Sequence, residues 1–192
     1  MELLEIITAR LRLRPFVSGD VDEAHRLWID PGVRKYLWDD EVISKEQAGA
    51  VIEESLAHFR DTGSGLWAAS ARPERGLLGF CGYWFFRDPP ELELLYGVET
   101  KHWGKGIATE MSRAIIRYGF QELALDHVVA STDAPNVASV RVMEKSGMSF
   151  AGRETLDGLD TIFYSMAREQ FTPGEAPYEL RRYARPASRK GE

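Results

Sequence analysis

A chain of 192 residues has room for one ordinary globular domain and not for two. With 44% hydrophobic, 11% aromatic and 28% charged residues it carries enough apolar material to fold alone, outside the composition of disordered chains, and its net charge of -6 disfavours nucleic acid or an anionic membrane as partner while suiting a cationic substrate. One cysteine, Cys81, excludes an internal disulfide and a thiolate metal cluster, and no apolar run approaches the roughly 18 residues of a membrane span, so the expectation is a cytoplasmic protein, monomer or homodimer.

Leu11 and Leu13 alternate with Arg10, Arg12 and Arg14, which predicts a strand over 11–17 whose arginines form an exposed edge that discourages pairing. Val21, Ala24, Leu27 and Trp28 then share a helical stripe, which Pro31-Gly32 is expected to stop. Ser44 with Gln47 makes a capping box, and Val51, Ile52, Leu56 and Phe59 give the apolar face of a helix running to Thr62-Gly63. Short β runs at 66–71, 77–86 and 91–99 are separated by Pro73-Glu74-Arg75-Gly76 and Asp88-Pro89-Pro90, read as hairpin turns. A helix over 104–122 follows, with Ile107, Met111, Ile115 and Tyr118 on one stripe, and then a strand over 127–132. Asp133-Ala134-Pro135-Asn136 leads into a short helix ended by Lys145-Ser146-Gly147, and two strands over 148–156 and 161–168 flank Asp157-Gly158. From Thr172 proline, glycine and arginine predominate (Arg181, Arg182, Arg185, Arg189, Lys190), and this part is expected to be loosely ordered. The order predicts an α+β domain over 1–171, a mixed, mostly antiparallel sheet of about six or seven strands with about four helices on both faces, followed by an Arg/Pro-rich tail over 172–192.

The most informative stretch is Lys101-His102-Trp103-Gly104-Lys105-Gly106-Ile107-Ala108-Thr109-Glu110, where a strand ends and a helix begins. Glycines let the backbone approach a ligand, and N–H groups at a helix start favour a phosphate. A nucleotide P-loop needs Ser or Thr directly after its Gly-Lys, but Gly106 follows Lys105. A dinucleotide fingerprint wants a third glycine where Thr109 stands and a continuous apolar strand before the loop, whereas Leu92, Leu94 and Tyr96 alternate with Glu91 and Glu93.

Lys101-x-x-Gly104-x-Gly106-x-Ala108 resembles the acyl-CoA pyrophosphate loop of the GNAT acyltransferase superfamily, and Asn136-x-x-Ser139 with Glu144-Lys145-Ser146-Gly147-Met148 resembles a second run found after the next strand in that superfamily. Trp103-Gly104-Lys105-Gly106 and Arg12-Leu13-Arg14-Pro15 are similar to the branch that holds the ribosomal-protein N-terminal alanine acetyltransferases. The resemblance, over about 10–168, implies a GNAT-like fold and transfer of an acetyl group from acetyl-CoA to a primary amine, on a protein N-terminus or a small molecule, by direct attack in a ternary complex. A CoA-binding module without transfer activity is the alternative.

The resemblance implies that Lys101, Trp103, Gly104, Lys105, Gly106, Ile107, Ala108 and Thr109 hold the donor, and that the backbone of Tyr96, Gly97 and Val98 holds its carbonyl, Gly97 fitting a close backbone approach inside a strand. Glu93 is the expected base, with Glu91 second, both on the strand face opposite Leu92 and Leu94. Many relatives protonate the thiolate with a tyrosine four positions before the helix-ending glycine; Met143 stands there, so Ser139 is the expected donor, with Asn136 holding the cofactor and capping the helix. Tyr36 and Trp38 are expected as acceptor walls, with Asp39-Asp40-Glu41 attracting a cationic amine. His25, His58, His102 and His127 show no ligand spacing, so no metal is expected.

Overall fold

The computed structural model describes residues 3–74, 76–86 and 91–183. Nine strands form one sheet: β1 (Leu4–Thr8), β2 (Leu11–Pro15), β3 (Leu66–Ala71), β4 (Leu77–Phe85), β5 (Leu92–Val98), β6 (His127–Asp133), β7 (Ser149–Leu156), β8 (Leu159–Ala167) and β9 (Tyr178–Arg182). Their order across the sheet is β7-β8-β6-β5-β4-β3-β2-β1-β9. Five α-helices pack on it: α1 (Val21–Trp28), α2 (Pro31–Leu37), α3 (Lys45–Thr62), α4 (Ile107–Gln121) and α5 (Val137–Lys145). No helix among the described residues is long and apolar enough to cross a membrane.

The alternation of β3 shows how one sheet supports two cores. Trp67 and Ala69 face the layer built from α4 and α5, with Met111, Ile115 and Met143, while Leu66 and Ala68 face the layer of α1 to α3, with Ala24, Ile52 and Leu56. Among the described residues the single parallel contact is β5 with β6, reached through α4, and every other pairing is antiparallel.

Several expectations are corrected. Helix α1 does stop before Pro31-Gly32, at Trp28, but the same two residues also start a helix that was not expected: the Asp30 side chain accepts from the Gly32 N–H and Pro31 occupies the first turn of α2. The segment after Thr172 is not loose where it is described, because β9 adds to the edge of β1 with Leu180 opposite Ile6. Strands β1 and β9 together raise the count above the six or seven expected, and α2 raises the helices to five. Nor do the three arginines form a free edge. Their strand is paired on both sides, Arg12 meets Glu5 at 2.6 Å, and Arg14 holds Asp20 through two nitrogens at 2.6 and 2.8 Å. Arg75, the Asp88-Pro89-Pro90 turn, and Arg185, Arg189 and Lys190 lie outside the described residues.

Candidate active site

The site starts from a break in the sheet. Strands β5 and β6 pair only at Glu93 with Val129, and beyond that point they part, β5 staying with β4 as far as Val98 and β6 with β8 as far as Asp133. Backbone groups on the parted edges lose their ladder partners and are left to whatever enters between them. A cavity of about 430 Å³ fills the opening, walled by 94–98 of β5, Ser131 and Thr132 of β6, Gly32, Val33, Tyr36 and Leu37 of α2, the loop before α4, and Asn136, Ser139 and Arg141 around α5.

At one end of the cavity lies the glycine loop. Gly104 and Gly106 both have φ of +73°, a left-handed backbone that side chains rarely adopt. Among the described residues nothing stands within 4 Å of where a Gly104 Cβ would sit, and only Arg10 Nη2, at 3.6 Å, near that of Gly106. Gly106 is the residue before α4 and no side chain caps that helix, so its first N–H groups remain available to an anion. Arg10 secures the loop from outside: its guanidinium donates to the Lys105 carbonyl at 2.9 Å and to Glu110 at 2.6 Å, and Thr8 Oγ1 donates to Glu110 at 2.6 Å. Burial raises the Glu110 pKa, but the Thr8 and Arg10 hydrogen bonds and the Arg10 charge outweigh it and hold the carboxyl below the usual range. Trp103 Nε1 donates to the Val98 carbonyl at 2.7 Å, tying the loop to the end of β5.

Strand alternation divides the remaining groups between the two faces of the opening. Glu93 is 1% exposed and accepts a hydrogen bond of 2.6 Å from Ser131 Oγ, which itself lines the cavity. Tyr96 points the other way, toward α5, its hydroxyl 2.8 Å from Ser139 Oγ. Asn136 caps α5 by accepting from the Ser139 N–H at 3.3 Å and donates to Thr132 Oγ1 at 2.9 Å. A Cβ on Gly97 would lie 2.4 Å from the Phe80 ring, so the close approach at this position is made by a core side chain from β4.

The cavity therefore gathers Tyr36, Tyr96, Gly97, Val98, Trp103, Gly104, Gly106, Ile107, Ala108, Thr109, Asn136 and Ser139. Glu93 reaches it through Ser131. Trp38 does not line it; its ring packs edge-on against Trp28, 6.3 Å away, in the core under α1 to α3. Lys101 and Lys105 stand outside the wall, Lys101 at 2.8 Å from Glu99 and Lys105 donating to the Lys101 carbonyl. Of the acidic segment, Asp40 is paired with Arg34 at 2.8 Å. The Asp39 carboxylate acts on Asp133, whose pKa is raised first by burial and then by that like charge. Ser131, Asp133 and the α2 wall have no local sequence signal; the turn before Asn136 contains Asp133, but only the sheet order brings it near Asp39.

A second groove of about 720 Å³ adjoins the first, sharing Gly106, Thr109 and Lys145. Arg10, Arg113, Arg117 and Lys145 bring positive charge to it. Ser146 Oγ and Tyr178 OH, both in its wall, are buried with no hydrogen-bond partner among the described residues. Phe171 and Pro177, from the segment preceding β9, and Tyr178, the first residue of β9, also line it.

Comparison with known proteins agrees with this geometry. The family model of the acetyltransferase (GNAT) domain matches residues 10–149. An uncharacterised Bacillus subtilis protein, YkkB, is 32% identical over 152 residues, 77% of this chain and 86% of its own. The FsC-acetyl coenzyme A-N(2)-transacetylase of Aspergillus fumigatus is 29% identical over 189 residues, covering 91% of this chain and 75% of that protein. Among solved structures, a GNAT-family acetyltransferase from Bacillus anthracis superposes with a TM-score of 0.72 at 25% identity, over 86% of this chain and 99% of that one. The chain belongs to the GNAT acetyltransferase family.

Proposed function

From this family membership we propose that the protein transfers the acetyl group of acetyl-CoA to a primary amine, by direct attack while both substrates are bound. The observation that carries the reading is the parting of β5 from β6, which opens one cavity to both faces of the sheet. A donor threading from the glycine loop and an amine arriving from the α2 side then meet beside the free backbone of 96–98. The name of the Aspergillus relative, an acetyl-CoA transacetylase acting at a nitrogen, supports the same donor and reaction.

In this reading Gly104, Gly106 and the first N–H groups of α4 hold the pyrophosphate, Lys101 and Lys105 add charge from outside the wall, and Ile107, Ala108 and Thr109 floor the loop. Trp103 and Asn136 border the pantetheine arm. The backbone N–H groups of Tyr96, Gly97 and Val98 polarise the carbonyl. Glu93 takes the amine's proton by way of Ser131, and Ser139 protonates the departing sulfur. Tyr36 walls the acceptor, and Asp39 with Asp133 favours its positive charge. The acceptor is the amine of a protein N-terminus or of a small molecule.

The second groove takes the 3′-phosphoadenosine end of the donor, with Arg113 among its cations. Arg113→Ala raises the KM for acetyl-CoA about tenfold, the loss of one hydrogen bond to a charged group, and leaves the KM of the 3′-dephospho donor unchanged; equal changes for both donors would place the phosphate elsewhere.

Direct attack needs no acylated side chain, and the one thiol is unsuited to that role: Cys81 is buried, and burial pushes its pKa far up against the pull of Ser112 and Gly82. Initial rates with both substrates varied test the mechanism. Intersecting double-reciprocal lines are expected, and parallel lines, the signature of a covalent acetyl-enzyme, would refute it.

A further inference from the structure

Proton delivery to the sulfur calls for a hydroxyl in the cavity, and α5 offers no phenol for it, since Met143 is 1% exposed in the core. A phenol reaches the same place from the strand. Tyr96 crosses from β5 to the first turn of α5, where its hydroxyl lies 2.8 Å from Ser139 Oγ and 3.0 Å from the Ser139 carbonyl oxygen. Both residues line the cavity.

We propose that Tyr96 and Ser139 form one proton-delivering unit, in which Ser139 gives its hydroxyl proton to the departing sulfur and Tyr96 positions that hydroxyl; the proposal rests on the reading of Ser139 as the donor. The phenol hydrogen lies within reach of two acceptors, the Ser139 carbonyl oxygen at 3.0 Å and Ser139 Oγ at 2.8 Å, and either hydroxyl can donate in the second bond. The delivering arrangement is the one in which the Tyr96 O–H turns to Ser139 Oγ and leaves the serine hydrogen to face the cavity. The serine backbone is fixed independently, because its N–H is held by Asn136 Oδ1 at 3.3 Å. When the carbon–sulfur bond breaks, its electron pair goes to sulfur, and sulfur takes the Ser139 proton. Glu93 has by then taken the first proton of the ammonium group; the second, shed by the newly acylated nitrogen, re-forms the serine hydroxyl, and Glu93 returns its proton to solvent, so the enzyme ends as it began.

Tyr96 keeps its own proton through the cycle. Burial pushes its pKa above the ordinary value, outweighing the Ser139 hydrogen bond, which pulls the other way. A phenol held neutral in this way serves as a fixed donor and not as the acid, so Tyr96 is a positioning residue. The strand thus supplies from β5 the phenol that the helix lacks at position 143.

A double-mutant cycle tests this. Wild type, Tyr96→Phe, Ser139→Ala and the double variant are compared for kcat and KM with acetyl-CoA, alongside calorimetric acetyl-CoA binding. Ser139→Ala is expected to lower kcat about a hundredfold, at the low end for general acid catalysis, and Tyr96→Phe about tenfold, both with KM and binding unchanged. The double variant is expected to be no slower than Ser139→Ala alone, since Tyr96 acts only through that hydroxyl. Wild-type kcat in Tyr96→Phe, multiplying losses in the double variant, or weakened acetyl-CoA binding in Tyr96→Phe would each reduce Tyr96 to a structural clip and overturn the proposal. Wild-type kcat in Ser139→Ala would instead remove the reading of Ser139 on which it rests.

Discussion

Gly106→Trp abolishes acetyl-CoA binding, with Kd raised at least about a hundredfold, while its melting temperature stays within about 8 °C of the wild type. Two features set this outcome. Gly106 is left-handed at φ +73°, where a side chain costs about 1–2 kcal/mol, and a chain of this size loses about 2–4 °C per kcal/mol. A Cβ there meets only Arg10 Nη2 at 3.6 Å among the described residues, so the substitution starts without a core clash, and the indole is expected to occupy the place that the proposed function reserves for the pyrophosphate. Calorimetric titration and a thermal melt on the same sample separate the two effects. Wild-type affinity would show that the donor does not lie against this loop.

The second large effect is expected at the base. Glu93→Gln keeps the size of the side chain and can still accept the 2.6 Å hydrogen bond from Ser131, but it cannot hold a proton taken from the amine. Loss of a general base lowers kcat by about 10²–10⁴, with the KM for acetyl-CoA little changed, because Glu93 faces away from the donor loop, on the side of α1 to α3. Unchanged turnover would move the base elsewhere, with Glu91, just before β5 and 3.4 Å from His127, the next carboxylate in sequence.

Local signals in the sequence survive into the structure where one segment suffices to make them. The capping box at Ser44 and Gln47 forms with both hydrogen bonds, 2.7 and 3.2 Å, and α3 ends at Gly63 in the left-handed conformation. The glycine loop likewise sits between strand and helix, as its composition required. What the sequence concealed is what depends on distant partners. Strand β1 is too short and too mixed, Leu-Glu-Ile-Ile-Thr, to announce itself, and it is completed by β9 from the other end of the chain. Helix α2 was hidden because proline reads equally as a stop and as a first-turn residue, and only the Asp30 cap decides between them.

The same division runs through the site. Glu93, Ser139 and Asn136 carry a local pattern, whereas Ser131 gains its place only because β6 lies beside β5, and the bond between Tyr96 and Ser139 spans 43 positions of sequence. The position of Trp38 after a helix suggests an acceptor wall, yet its ring packs against Trp28 and the core. An aromatic near a substrate loop is as easily used to seat that loop as to face the substrate.

The central claim is that the opening between β5 and β6 is where acetyl-CoA meets an amine. Its most direct test is release of the CoA thiol from acetyl-CoA, followed together with formation of the N-acetyl product, against parallel panels of N-terminal peptides and small amines, with Gly106→Trp as control. The account predicts thiol release matched one for one by N-acetyl product with one of the panels, and none from the Gly106→Trp protein. Silence with both panels from a protein that binds acetyl-CoA, or release undiminished in Gly106→Trp, would contradict it.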